Sequence, residues 1–188
     1  PWDGAVRLTV EEAPSVVASL FVRIPGWCAE ATFSVSGEPS RSILGGSLYE
    51  EVRRRWARGD VVELSLSMPI VPRSGHPESG DHTGRKAITR GPLVYCVEAV
   101  DHPDIDVWDL VLPGKADMAA ERVADLLGGV VVVRGHGTVR PLATEPAVGT
   151  GLVDDQDDSR FRVEVTAIPY YAWAERAPGP MEVWIRSA

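Results

Sequence analysis

The 188 residues include 44% apolar, 24% charged and 7% aromatic side chains, and the formal net charge is −8. That balance supports a packed core in one large domain or two small ones and excludes global disorder. An acidic chain lacks the basic excess that phosphate contacts need, and no window nears the about 18 consecutive apolar residues of a membrane span.

The chain opens Pro1-Trp2-Asp3-Gly4, with no initiator Met and no charged-then-apolar leader, so it reads as a piece of a longer polypeptide. From there the dominant period is two. Leu20, Val22 and Ile24 line one strand face with Arg23 opposite, and Phe33 and Val35 alternate with Thr32, Ser34 and Ser36. Arg53, Arg54 and Arg55, with Arg58, form the one dense basic run, but Glu50, Glu51 and Asp60 flank it. On a strand these arginines point to alternate faces, so local ion pairs are the expected outcome. Over residues 61–68, Val62, Leu64, Leu66 and Met68 face the core while Glu63, Ser65 and Ser67 face water.

Residues 72–84 are polar and rich in breakers, and residues 101–106 are a second such stretch. Between them, residues 93–97 are apolar on both faces, as are residues 130–133, which predicts central strands covered twice. The domain junction is placed near residue 99, giving domains at 1–98 and 99–188. An N-cap candidate, then Val123, Leu126 and Leu127 at helical spacing, and Gly128 as a stop predict a short helix over residues 117–127. Past an acidic loop at residues 149–159, Phe161, Val163, Val165 and Ala167 alternate with Arg162, Glu164 and Thr166. Eighteen glycines and fifteen prolines punctuate these runs at sandwich-like intervals. The predicted fold is all-β: two consecutive antiparallel β-sandwich (jelly-roll-like) domains with at most one short helix.

Chemistry-bearing patterns are few. The four histidines form no His-x-x-x-His pair and do not neighbour a cysteine at zinc-ligand spacing. Cys28 and Cys96 lie in apolar strand contexts and read as buried free thiols. Asp154, Asp155, Asp157 and Asp158 are rich in oxygen ligands, but the central Gly and trailing Glu of an EF-hand are missing, so a solvated acidic loop is expected. Six tryptophans are many for this length. Tyr170, Tyr171 and Trp173 crowd one Pro/Gly-flanked loop, and Trp184 shares a predicted strand face with Glu182 and Arg186. These four rings are the candidate interface or sugar contacts.

Several stretches together resemble glycoside hydrolase family 127, the β-L-arabinofuranosidase-type enzymes, in the region after the catalytic barrel. They are Pro1-Trp2-Asp3-Gly4, Phe21-Val22-Arg23-Ile24-Pro25-Gly26-Trp27-Cys28, Trp56 followed by Gly59-Asp60-Val61-Val62-Glu63-Leu64, Arg90-Gly91-Pro92-Leu93-Val94-Tyr95-Cys96, and Pro169-Tyr170-Tyr171-Ala172-Trp173. The match is much weaker between residues 101 and 160. The resemblance implies an (α/α)6 catalytic barrel upstream and two β-sandwich domains after it. It also implies that the nucleophilic cysteine, and the cysteines and glutamates that bind zinc, belong to that barrel; none maps onto this sequence. No catalytic residue, metal site or cofactor is therefore expected in this chain. The expected partners are its own upstream catalytic domain and a second copy in a homodimer, with no nucleic acid and no membrane. The competing reading is a carbohydrate-binding module that stacks sugar on Trp173 or Trp184.

Overall fold

The computed structural model describes residues 2–46, 48–114, 117–139 and 160–188, and the chain divides into two compact units, Pro1–Pro69 and Ile70–Ala188. The first unit holds β1 (Ala5–Thr9), β2 (Ala18–Ile24), β3 (Glu30–Val35), β4 (Arg41–Leu44), β5 (Leu48–Arg54) and β6 (Val61–Leu66). A four-stranded sheet runs in the order β1-β6-β3-β4, and β2 pairs β5 in a separate two-stranded sheet; all pairs are antiparallel. Alternation places one side of each sheet inward. Val22, Ile24 and Val52 meet Ala31, Phe33, Val35, Val62, Leu64 and Leu66 in a single core, which is the sandwich the period of two calls for. Gly4 is required at one end: at φ +71°, a Cβ there would lie 2.1 Å from the carbonyl oxygen of Leu66.

The second unit adds β7 (Ile70–Ser74), β8 (Arg85–Arg90), β9 (Leu93–Glu98), β10 (Val111–Leu112), β11 (Ala119–Val123), β12 (Val130–Val139), β13 (Phe161–Pro169), β14 (Met181–Glu182) and β15 (Trp184–Ser187). Strands β9-β13-β12-β10-β15-β8 follow one another, and the β8–β9 pairing at Thr89–Val94 and Arg90–Leu93 closes the ring. The expected second sandwich is thus a six-stranded barrel. Closure removes the open edges that a sandwich leaves. Its interior holds Ile88, Tyr95, Val97, Leu110, Leu112, Val133, Val139, Val165 and Ile185. Gly137 makes room on β12, where a Cβ would come within 2.7 Å of Leu110 Cδ1.

Two expectations are corrected here. The junction lies at Pro69/Ile70, not near residue 99, because β7 and the β8–β9 hairpin pair with strands of the barrel and not with the sandwich. The helix predicted over residues 117–127 is strand β11, paired antiparallel to β12 from Ala119–Arg134 to Val123–Val130. Its apolar spacing was helical, but the edge of β12 supplied a ladder, and pairing overrode local preference. Gly128 acts in the hairpin turn instead, at φ +75°. Among the described residues the helical pieces are three-residue 3-10 turns, and no helix is long and apolar enough to cross a membrane.

Candidate functional site

The site grows from a local irregularity in the barrel. Strands β8 and β9 pair only at their hairpin end and then part. Into the gap comes the segment from Met181 to Ser187. Met181 and Glu182 run antiparallel to β9, opposite Glu98 and Val97; the chain bends at Val183, and Trp184 to Arg186 run antiparallel to β8, opposite Ala87 to Arg85. The strand face expected to carry Glu182, Trp184 and Arg186 is therefore broken in two at Val183, because each half finds a different neighbour.

Beside this bend lies a groove of about 890 Å³. Arg85, Ala87 and Thr89 of β8 line it, together with Val94, Met181, Glu182 and Trp184, and the rings of Trp108 and Tyr170 add to its walls. Stacking holds the indole of Trp184 against His82, with centroids 4.4 Å apart and planes 15° from parallel. Trp108 sits in the 3-10 turn Val107–Asp109, which the Asp106 carboxylate caps by accepting the Trp108 N–H at 3.0 Å. Deep in the groove Arg85 forms an ion pair with Glu182 and donates to the Trp184 carbonyl at 2.8 Å. Glu182 Oε1 is the bonded oxygen; Oε2 is buried with no protein partner. Burial pushes the Glu182 carboxyl up, and the adjacent Arg85 guanidinium pulls it partly back.

The loop bearing Tyr170 is fastened from below by a buried polar network. Glu98 accepts the Ala174 N–H at 2.8 Å through Oε1 and Arg176 at 2.6 Å through Oε2, while Arg176 also grips Asp101. Those two carboxylates raise the Arg176 guanidinium further above its ordinary range, Asp101 contributing most. His102 is buried beside them. Its Nε2 accepts the Thr166 N–H at 3.1 Å, which leaves Nδ1 to donate to the Glu98 carbonyl at 2.8 Å, so both ring nitrogens are engaged.

Of the four predicted rings, Tyr170 and Trp184 come together at the groove. Trp173 lies outside it, parallel to Tyr170 with centroids 6.3 Å apart, and Tyr171 is 63% exposed. Sequence reading missed Trp108, Arg85 and the role of Glu182, which are far apart in the chain and meet only through barrel pairing. The one usable signal was the Asp106-x-Trp108 pattern, an Asp placed to cap a turn that ends in an exposed ring.

The two cysteines occupy separate units. Cys28 donates to the Glu30 carbonyl at 3.0 Å. Burial, followed by the nearby Glu98 charge, pushes the Cys96 thiol up to about 12, the opposite of an activated nucleophile. Among the described residues no three His, Cys, Asp or Glu side chains converge in a way that could hold a metal. Asp154, Asp155, Asp157 and Asp158 fall outside the described residues.

Two β units in this order, a sandwich and then a closed barrel, define an all-β, two-domain chain. Residues 73–186 match the glycoside hydrolase family 127 C-terminal domain and residues 1–68 match the β-L-arabinofuranosidase GH127 middle domain. The chain belongs to glycoside hydrolase family 127. The two matched stretches meet where the compact units divide. The chain is 37% identical over 196 residues to the non-reducing end β-L-arabinofuranosidase of Bifidobacterium longum subsp. longum, a match over 99% of this chain and 29% of that protein. It superposes with a TM-score of 0.83 and 37% identity on a GH127 β-L-arabinofuranosidase from Geobacillus stearothermophilus T6, covering all of this chain and 29% of that one. A GH127 β-arabinofuranosidase structure at 28% identity gives 0.79, again over the whole chain and 30% of the neighbour. The chain thus spans under a third of the length of these relatives.

Proposed function

We propose that this chain is the non-catalytic accessory region of a β-L-arabinofuranosidase-type glycoside hydrolase, bracing the (α/α)6 catalytic barrel that the family resemblance implies. The observation that carries this reading is the outer face of the β2–β5 sheet. That sheet has two strands, and on the side away from the core it presents Phe21 at 58% and Tyr49 at 64% exposure, next to Arg23 and Glu51. Exposed rings on a thin sheet fit a surface that another domain covers. The inert chemistry of the buried Cys96 thiol supports the non-catalytic half of the reading. The exposed Tyr171 and Trp173 side chains support a second contact, between copies of the chain.

A mixing experiment tests the reading. The part of the Bifidobacterium relative that this chain does not match, produced by itself, should form a one-to-one complex with the chain and melt at higher temperature in its presence. Phe21→Ser together with Tyr49→Ser should abolish that complex. No association, or association indifferent to both substitutions, removes the bracing role. Release of nitrophenol from an aryl β-L-arabinofuranoside by the purified chain alone would make it an enzyme. Sedimentation of the chain should show a dimer that Tyr171→Ser and Trp173→Ser dissociate; a monomer at every concentration removes the homodimer.

A further inference from the structure

We propose that the groove beside the Val183 bend binds a neutral saccharide ring, packed against Trp108, Tyr170 and Trp184 and hydrogen-bonded by Arg85 and Glu182. The proposal goes beyond the bracing role and uses none of the residues assigned to it.

Three observations point to this ligand chemistry. The groove's volume, about 890 Å³, falls in the range of small-molecule sites and holds one or two sugar rings. Its walls carry three aromatic side chains, two of them indoles, and a saccharide presents C–H faces that suit the negative face of such rings. The Trp184 ring is already fixed by His82, so a ligand meets it without first ordering it.

The polar groups fit the other half of a sugar. Glu182 and Arg85 stand as a matched carboxyl and guanidinium, an acceptor and a forked donor, which together serve a pair of neighbouring hydroxyls. Glu182 keeps one oxygen without a protein partner; it is closed to solvent in this conformation, and that unsatisfied acceptor gains a bond when the carboxyl turns to meet a ligand hydroxyl. Because the two charges cancel, the pair favours a neutral ligand over a uronate. Arg73, the other cation at the rim, is engaged with the Thr89 hydroxyl at 3.2 Å.

Arabinan-derived oligosaccharides, xylo-oligosaccharides and galacturonic acid, each titrated into the intact chain and read by calorimetry and tryptophan fluorescence, test the proposal. One or both neutral oligosaccharides should bind saturably with a dissociation constant of about a millimolar or tighter. Trp108 is 55% exposed, so Trp108→Ala should leave the circular dichroism unchanged and weaken binding about tenfold, the loss expected for one aromatic contact. Glu182→Gln, which keeps the size of the side chain, should weaken it severalfold. Phe21→Ser should leave it unchanged. No saturable signal from either neutral ligand, tighter binding of galacturonic acid, or binding that Trp108→Ala does not alter would each overturn the proposal. Failure of the bracing role would leave this titration as it stands, so the two ideas fail separately.

Discussion

Unit 1 and unit 2 are built from the same alternating strands, yet among the described residues only the second fully buries a carboxylate and an imidazole side chain. The core of unit 1 is apolar, and its Trp56 indole N–H is satisfied by a backbone carbonyl, that of Ala18, at 3.0 Å. Unit 2 buries Glu98 and His102 and ties them to Arg176, Asp101 and Thr166. Apolar burial alone suffices to stack two sheets. A closed barrel that must also carry a shaped loop on its outside needs directional bonds to fix where that loop goes. The buried network has no counterpart among the described residues of unit 1, whose own groove, of about 550 Å³ beside β1, β3 and β6, is lined by Arg7, Thr32, Ser34 and Glu63 and by no aromatic ring.

The comparison can be broken most forcefully through the cores. Phe33→Ala should cost about 3–5 kcal/mol and Leu110→Ala about 2–5 kcal/mol, since both side chains are fully buried. Hydrogen exchange should show the first loosening β3 and β6 and the second loosening β12 and β13. Loss of protection spread evenly over both units would deny that they have separate cores.

Arg176→Met comes next. It strands the Glu98 carboxylate in a buried place, which costs about 3 kcal/mol, and it should unfasten the segment around Tyr170 before the barrel melts. If the amides near Ala174 kept their native exchange rates, the network would not be what holds the loop.

A pH effect sharpens the contrast further. The Glu182 carboxyl is raised above the ordinary glutamate value of about 4.3, so the folded chain holds that proton more readily than the unfolded chain. Its contribution to stability is complete below about pH 4.3 and fades as pH climbs through the raised value. Thermal melts should show the wild type losing ground to Glu182→Gln across that window, and parallel profiles would refute the assigned burial.

Smallest of all, Arg7→Ala should change stability by less than about 0.5 kcal/mol. The Arg7–Glu63 pair on the sandwich surface is solvated on both sides, and urea melts should barely register its loss.

How much of this was legible varies with the range of the interaction. Alternation located β2, β3, β6 and β13, and runs apolar on both faces located β9 and the first part of β12, because which faces of a strand are apolar is written in neighbouring residues. Within the arginine run Arg54 pairs with Asp60 at 4.0 Å, one of the flanking acids, and also reaches Glu38 and the Ser36 carbonyl, which the flanks did not foretell. Phe161 was assigned to the buried face and is 44% exposed, since the alternation of β13 runs past the region the core covers. The aromatic loop was recognised from clustering alone, and Tyr170 and Trp184 both line the groove, but beyond the capping pattern that exposes Trp108 nothing local said that Trp108 and Arg85 would line it with them.

Composition and period by themselves determined that the chain is all-β, that both thiols are buried, Cys96 on a strand and Cys28 in the turn between β2 and β3, and roughly where six of its strands lie. Only tertiary structure decided that residues 70–98 belong with the second unit, that β11 is a strand, that the second sheet closes, and that a bend at Val183 opens a groove. The reason is physical. Side-chain alternation is a property of adjacent residues, whereas ladder pairing and closure depend on which distant edges are free to meet, and no local pattern encodes that choice.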